Sequence, residues 1–374
     1  MTVPAVPPSF QCWELTPGEV SSLKIAHGYS GGMKLTLPEF GLTTAVAFFS
    51  DTGLLTDFQN LCAARRQLAA QYSYDLAVQE MEKVVKIEEQ LEKAGHSLPD
   101  SSMLLKDGTD RLKKAKDHWD NHKFADAYRE AQRALRPVRI LMRAQWDAAT
   151  RPLETPVGSP WAVSFYTLPK HWEFMDQVTA AKSGDNLIPG GDFEIVPGRA
   201  PETWSSQENT LDDVEMRAER VSQVSMATPI DPKTKKPGAR KELKAKEGSQ
   251  FLLLEIKPKS APKERPVPKV LERTFLAVAS PTVKLPPGSL VRVSGWMAIP
   301  DPIQASPDGA LLYDSAGGEP LAVRLTGQTE GWRHFTLYRR VPASGVMNVT
   351  LALTGLGRAA FDDIRIEPLT ANAR

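Results

Sequence analysis

The chain has 374 residues, 41% hydrophobic and 24% charged, with a formal net charge of +1, the balance of a globular protein too long for one ordinary core. So neutral a chain has no global field to draw it onto nucleic acid or an anionic membrane. The longest apolar run, Thr43 to Phe49, falls far short of the ~20 residues that cross a bilayer, and Cys12 and Cys62 fit no metal or redox spacing.

Residues 1–54 read as a partial β-domain. The β-prone runs Trp13–Leu15, Ser22–Ile25, Met33–Leu37 and Thr44–Phe49 are divided by Pro17-Gly18, Gly31-Gly32 and Pro38. Four short strands make a poor core alone, which points to the closing piece of a larger β-sandwich. The opening MTVPAVPPSFQCWEL lacks the basic and apolar regions of a signal peptide, and by itself implies a cytoplasmic chain.

Residues 55–150 change period. Between Asp57 and Lys93, the positions Leu61, Leu68, Tyr72, Leu76, Met81, Val84, Val85, Glu88 and Leu91 recur mostly at three- and four-residue spacing. Gly95 ends this helix and Pro99 blocks its continuation. A second helix is capped by Asp100 or Ser101 and runs to about Trp119, with Leu104, Leu105, Leu112 and Ala115 inward and Gly108 weakening its middle. A third spans Phe124 to Ala149, where Pro137 is expected to produce a kink. Short connections predict a three-helix antiparallel bundle.

Residues 151–185 form an irregular linker with four prolines and the aromatic cluster Trp161, Phe165, Tyr166, His171, Trp172 and Phe174. Such a cluster is expected to pack against a neighbour. Residues 186–374 return to strands, at Gln250–Ile256, Leu271–Val278, Leu290–Ile299, Ala310–Tyr313, Leu321–Leu325, Trp332–Arg340, Met347–Leu353 and Ala359–Ile366, with Gly- and Pro-rich turns between. Regularly spaced short strands predict a two-sheet sandwich. The fold class is therefore multidomain α+β: partial β-sandwich, helical bundle, linker and C-terminal β-sandwich. Between Ala227 and Gly248 lies an insertion with seven Lys or Arg against three acids. It reads as a solvated loop, or alternatively as a polyanion-binding one.

Five stretches carry a resemblance. NLIPGGDFE (Asn186–Glu194), the following Trp204, VRVSGWM (Val291–Met297), GWRHFTLY (Gly331–Tyr338) and AAFDDIRIEP (Ala359–Pro368) stand in the order found in carbohydrate-binding modules of families 4, 9 and 22. The segment resembles those jelly rolls, which have the galactose-binding-like fold. The resemblance implies a structural calcium ion joining the first strand to the last through Asp192, Glu194 and Asp362; alternatively, Asp362 and Asp363 merely cap or face solvent on an edge strand. It also implies sugar rings stacked on aromatic side chains, for which Trp204, Tyr313, Trp332 and Tyr338 are candidates, with Arg324 and Gln328 as polar partners. Trp296 and Trp332 lie in motifs that usually serve the core of this fold.

Two further stretches resemble larger proteins. GGMKLTLPEFGLTTAVAFFSD (Gly31–Asp51) is similar to the closing β-domain of bacterial glycosidase-like proteins. SPWAVSFYTLPKHW (Ser159–Trp172), followed by NLIPGGDFE, is similar to the C-terminal arrangement of large planctomycete-type surface or secreted proteins. This implies the tail of a longer polypeptide, extracellular or at the cell surface, with any signal and any catalytic domain upstream.

Catalytic motifs do not assemble. His118 and His122 are four apart, but HWDNHKF reads as a turn and there is no HExxH. GYSGG (Gly28–Gly32) has the wrong spacing for a nucleophile elbow, and no βαβ alternation builds a barrel for paired glycosidase carboxylates. HKFADAYREAQRALR (His122–Arg136) resembles one helix of a tetratricopeptide-type repeat, without the repeat period. The expected function is non-catalytic binding of a polysaccharide or surface glycan. The rival readings are a structural or protein-interaction module and the C-terminal fragment of a glycoside hydrolase-like protein.

Overall fold

The computed structural model describes residues 2–371 except 5, 8, 28–31, 38–42, 195–203, 210–212, 229–240 and 260–274. The chain divides into two compact units, Met1–Asp147 and Ala148–Arg374.

In the first unit, strands β1 (Thr2–Val3), β2 (Gln11–Leu15), β3 (Val20–Ser22), β4 (Lys24–His27), β5 (Met33–Thr36) and β6 (Ala45–Phe49) make two antiparallel sheets, ordered β1-β5-β4 and β3-β2-β6. Alternation places Met33 and Leu35 inside with Cys12 and Leu23, and Lys34 and Thr36 outside. Leu23 splits the expected Ser22–Ile25 run because its N–H turns to Cys12 O at 2.9 Å.

Helices α1 (Thr52–Lys93), α2 (Ser101–Asp120) and α3 (Phe124–Thr150) follow. α1 begins five residues before the predicted Asp57, because the Asp51 carboxylate accepts the Gly53 N–H at 2.7 Å as an N-cap. Its buried line is Ala70, Ser73, Ala77, Met81, Val84, Glu88 and Leu91. Leu61, Leu68, Tyr72 and Leu76, which helped to predict the helix, are exposed. Gly108 is a close-approach point: a Cβ there would lie 2.3 Å from Met81 Cε on α1 and 3.2 Å from Ala134 O on α3. α3 passes through Pro137 without ending. The buried Glu88 carboxylate accepts Gln145 Nε2 at 2.9 and 3.0 Å and Ser97 Oγ at 2.7 Å.

The second unit begins before the stretch read as a linker. Two 3-10 turns, Pro156–Gly158 and Phe165–Thr167, lead to α4 (Leu168–Thr179), which buries Leu168, His171, Phe174 and Val178. Strand β7 (Ala181–Ser183) then pairs with the last strand of the chain. The strands that follow are β8 (Ser205–Glu208), β9 (Val214–Val221), β10 (Gln223–Ser225), β11 (Glu242–Lys244), β12 (Phe251–Pro258), β13 (Leu276–Ala279), β14 (Val283–Lys284), β15 (Leu290–Gln304), β16 (Ala310–Asp314), β17 (Val323–Leu325), β18 (Arg333–Arg340), β19 (Val346–Met347), β20 (Val349–Leu353) and β21 (Leu356–Ala371). The predicted run from Leu271 enters the described residues only at 275, one residue before β13.

Two antiparallel sheets result. One is ordered β18-β15-β21-β12-β9, with β7 beside β21; the other is β17-β16-β20-β13-β8. Alternate residues of both, among them Val291, Val293, Leu254, Ile256, Leu276, Leu312 and Leu351, form one core cluster, which makes the unit a β-sandwich. β12 is apolar on both faces because Phe251 and Leu253 pack outward with Val224, Met226 and Leu243 of the β10–β11 hairpin region. That hairpin joins the flanks of the basic insertion, whose residues 229–240 lie outside the described set.

The ends of the sandwich meet. Asn186 Oδ1 accepts the N–H of Ile366 at 3.1 Å, Ile364 N donates to Gly191 O at 2.8 Å, and a Cβ at Gly191 would lie 1.9 Å from Ile364 O. A buried ion pair ties the sheets together: Arg339 Nε on β18 donates to Asp314 Oδ2 on β16 at 2.8 Å, with side-chain exposures of 1% and 0%. The remaining polar atoms are satisfied as such burial requires. Asp314 Oδ1 accepts two backbone N–H groups, and Arg339 Nη1 reaches the carbonyls of Val157 and Tyr338.

Candidate sugar-binding face

The outer face of the five-stranded sheet gathers two of the expected ligand residues. On β16, Leu312 points into the core, so Leu311 and Tyr313 point out. Register places Tyr313 opposite Thr350, Thr350's strand neighbour at Ala279, and Ala279 opposite Ser205. This row crosses four strands, a span of roughly 14 Å, and none of its members is buried. The next row runs from Arg324 through Leu311, Ala352 and Ala277 to Gln207. Arg324 is exposed, and its guanidinium is oriented by Glu319 O at 2.7 Å, Ala322 O at 3.3 Å and Asp308 at 3.3 Å. Tyr313 and Phe275 pack against Ala277, Leu311, Ala322 and Ala352. Leu311, Ala352 and Ala277 are themselves buried, so the face presents Tyr313, Phe275 and Arg324 with the hydroxyls of Thr350 and Ser205 and the amide of Gln207. Thr350, Ser205 and Gln207 were not singled out from sequence, because only the strand register makes them neighbours of Tyr313.

The other expected ligand residues are elsewhere. Tyr338 is half-buried on the outer face of the six-stranded sheet, opposite Arg292 in register. Burial raises its phenol, the Arg292 charge opposes the rise and Glu154 adds to it. Trp332 packs edge-on against Phe251 at 5.3 Å and donates to Lys244 O at 2.7 Å, covering the second small core. Trp204 lies 5.0 Å from Phe193 and donates to Pro189 O at 3.2 Å. Gln328 Nε2 donates to Ala227 O at 2.5 Å and Pro300 O at 3.0 Å, joining two loops. Trp296 corrects the core reading of its motif: on β15 Val291, Val293, Met297 and Ile299 face the core, so plain alternation sets Trp296 on the outer face, with Lys246 Nζ 4.2 Å above its ring and His334 at 4.8 Å.

The carboxylates read as calcium ligands hold a turn. Glu194 Oε1 accepts the N–H groups of Ser249 at 2.6 Å and Gln250 at 2.7 Å, while Oε2 accepts Ser249 Oγ at 2.7 Å. Burial works to raise this carboxyl, but those bonds and the Arg220 charge outweigh it and hold it below the usual range. Gly248, at φ +64°, lies beneath it where a Cβ would stand 2.4 Å from Glu194 Oε1. Asp362 is fully buried; its Oδ2 accepts the N–H groups of Lys246 at 2.7 Å and Glu247 at 3.1 Å, and its Oδ1 that of Asp363 at 2.8 Å. Burial pushes Asp362 up to about 6 against the pull of those amides, and the Asp363 charge adds to the rise. Asp192 is exposed and, among the described residues, accepts the Glu194 N–H at 3.4 Å. Calcium asks for six to eight oxygens. Here the oxygens of Glu194 and Asp362 already face N–H and O–H donors, and among the described residues no three His, Cys, Asp or Glu side chains form a metal-holding group. The set does not fit the ion that the resemblance implies. In the first unit, His122 lies past the end of α2 at φ +58°, off the helical face of His118.

No protein-family model matches the chain, and no curated protein matches it. Among solved structures, it is similar to the enzymatically active domain of tailspike protein 4 of bacteriophage CBA120, at 14% identity and TM-score 0.27, over 49% of this chain and 21% of that one. The chain therefore spans about a fifth of that protein. It is similar to a family 61 carbohydrate-binding module solved with β-1,4-galactotriose, at 13% identity and TM-score 0.25, over 49% of this chain and 98% of the module. A third is the C-terminal family 22 module of Clostridium thermocellum Xyn10B, at 11% identity and TM-score 0.21, over 44% of this chain and 89% of that one. Likenesses this loose place no residue, and none of the three speaks to a planctomycete-type context.

Proposed function

We propose that the sandwich binds a polysaccharide or surface glycan, without chemistry, on the outer face of its five-stranded sheet. The observation that carries this reading is the row Tyr313, Thr350, Ala279, Ser205 beside Arg324 and Gln207. A sugar polymer needs an aromatic face to stack on and donors and acceptors to read its hydroxyls. Ala279, the small member of the open row, leaves room between Thr350 and Ser205 for an extended chain to lie across the strands. A tyrosine, an arginine, hydroxyls and an amide supply contact and orientation; glycoside hydrolysis asks in addition for two carboxylates astride the bond. The order of the five sequence motifs resembling carbohydrate-binding jelly rolls supports the same reading. The glycan-bound chain would serve an enzyme that precedes or partners it.

The test is affinity electrophoresis of the full chain in gels cast with plant, algal or bacterial polysaccharides. Retardation by one of them, lost in Tyr313→Ala, weakened in Arg324→Ala and kept in Tyr338→Ala, is the expected pattern. Retardation that depends on Tyr338 and ignores Tyr313 would move the site to the opposite sheet.

A further inference from the structure

The long helix α1 carries a second apolar line that stands largely in solvent among the described residues, with Phe58 touching Phe49 of β6 at 5.6 Å between ring centroids. Leu54, Phe58, Leu61, Leu68, Tyr72 and Leu76 are exposed by 39–61%. At 100° per residue, all six fall within roughly 40° of one line along the helix, and roughly 130° round from the buried seam through Ala77 and Val84. The spacing is close to that of a coiled-coil seam, with steps of four, three, four, three, four and four residues and Arg65 in its central position. An apolar line of this length, roughly 33 Å, is uncommon on a free surface.

The sequence of the line is a palindrome about Arg65: leucine, aromatic, leucine, arginine, leucine, aromatic, leucine. Such an order suits a twofold contact, in which each patch must complement itself with its direction reversed. We propose that two copies of this chain pair through α1, antiparallel, with the twofold axis at Arg65. Leu54 then meets Leu76 of the other copy and Phe58 meets Tyr72, while Leu61 and Leu68, four and three residues from the axis, meet with an offset of one residue. At ~200 Å² for a large apolar residue, six side chains about half exposed offer on the order of 600 Å² per copy. The pair buries about 1,200 Å², the lower edge of a specific interface. The two Arg65 side chains face each other at the axis and oppose the association. The dimer is therefore held by apolar burial and weakened by one like-charge contact, which salt screens.

Sedimentation equilibrium of the full chain reads this directly. A reversible dimer at micromolar concentration, tightening as salt rises, is expected. Arg65→Leu tightens it by about tenfold or more, and Leu68→Glu, on the exposed side and so without effect on helix content by circular dichroism, yields a monomer. A chain carrying both Phe58→Cys and Tyr72→Cys gives a covalent dimer on oxidation, and neither substitution does so alone. A wild-type chain and an Arg65→Leu chain that both stay monomeric would overturn the proposal. So would a dimer indifferent to Leu68→Glu, or cross-linking through Phe58→Cys alone, which marks parallel pairing.

Discussion

The helical unit and the sandwich treat apolar surface differently. α1 leaves six large apolar side chains in solvent, whereas among the described residues no strand of the sandwich from β8 to β21 exposes one. Every strand has two faces, and here the outward apolar positions are covered, Phe251 and Leu253 by the hairpin and Ala277, Leu311 and Ala352 in a buried cluster with Phe275 and Tyr313 against it. A helix buries one stripe against its neighbours, and a second apolar stripe has no reason to persist unless something meets it. The two units also bury carboxylates differently. Glu88 rests on the uncharged Gln145 and Ser97, while Asp314 faces the guanidinium of Arg339.

That last contrast yields the largest expected effect. Arg339→Ala strands Asp314 as a buried unpaired charge and costs about 3–5 kcal/mol, read as a shift in the denaturant midpoint of the sandwich. Glu88→Gln keeps volume and hydrogen-bonding capacity in the helical unit and costs about 1 kcal/mol. Equal losses would erase the distinction.

The pH dependence at Asp362 is next. Its carboxyl titrates at 3.8 ordinarily and at about 6 when folded. Between those values the folded state holds the extra proton, so stability falls as pH rises and the full cost, at most about 3 kcal/mol, is present above pH 6. Relative to Asp362→Asn, the wild-type protein should lose urea resistance across that window and run parallel above it. Parallel curves throughout would show that Asp362 titrates normally.

Two glycines sharpen the comparison further. Gly191→Ala drives a Cβ against the Ile364 carbonyl, which the sheet cannot move, and costs about 1–3 kcal/mol. Gly108→Ala meets the flexible tip of Met81 first, and the helix-propensity gain of roughly 1 kcal/mol offsets much of the strain. A thermal melt that ranks Gly108→Ala as the worse of the two would contradict this account of the close approaches. The smallest effect is a chelator, which should leave the melting midpoint where it is, because Glu194 and Asp362 hold the turn of residues 246–250 through N–H groups. A midpoint that drops with chelator and recovers with calcium would restore the cation.

Much of the sandwich was legible in advance. The strand runs from Gln250 onward fall on observed strands, except that residues 271–274 lie outside the described set and Leu321 ends a 3-10 turn before β17, and the pairing of Asn186 with Ile366 follows from the resemblance that placed the first and last motifs together. Alternation also marks which residues of one strand share a face. It does not say which strands lie side by side, so Tyr313 and Arg324 could be named while Thr350, Ser205 and Gln207 could not. Trp296 was misread because its motif was taken for a core motif, although alternation with Val291, Val293, Met297 and Ile299 already sets it on the outer face. In α1 the helical period was plain, but two apolar lines satisfy it, and only the packing around Gly108 shows which is inside.

The central claim is that a glycan lies across the five-stranded sheet at Tyr313. Isothermal titration of the full chain with the polysaccharide that retards it tests this most directly, comparing wild type with Tyr313→Ala. The account predicts measurable binding that the substitution abolishes while the melting midpoint stays unchanged. Undiminished binding by Tyr313→Ala, or no heat of binding with any plant, algal or bacterial polysaccharide, would contradict it.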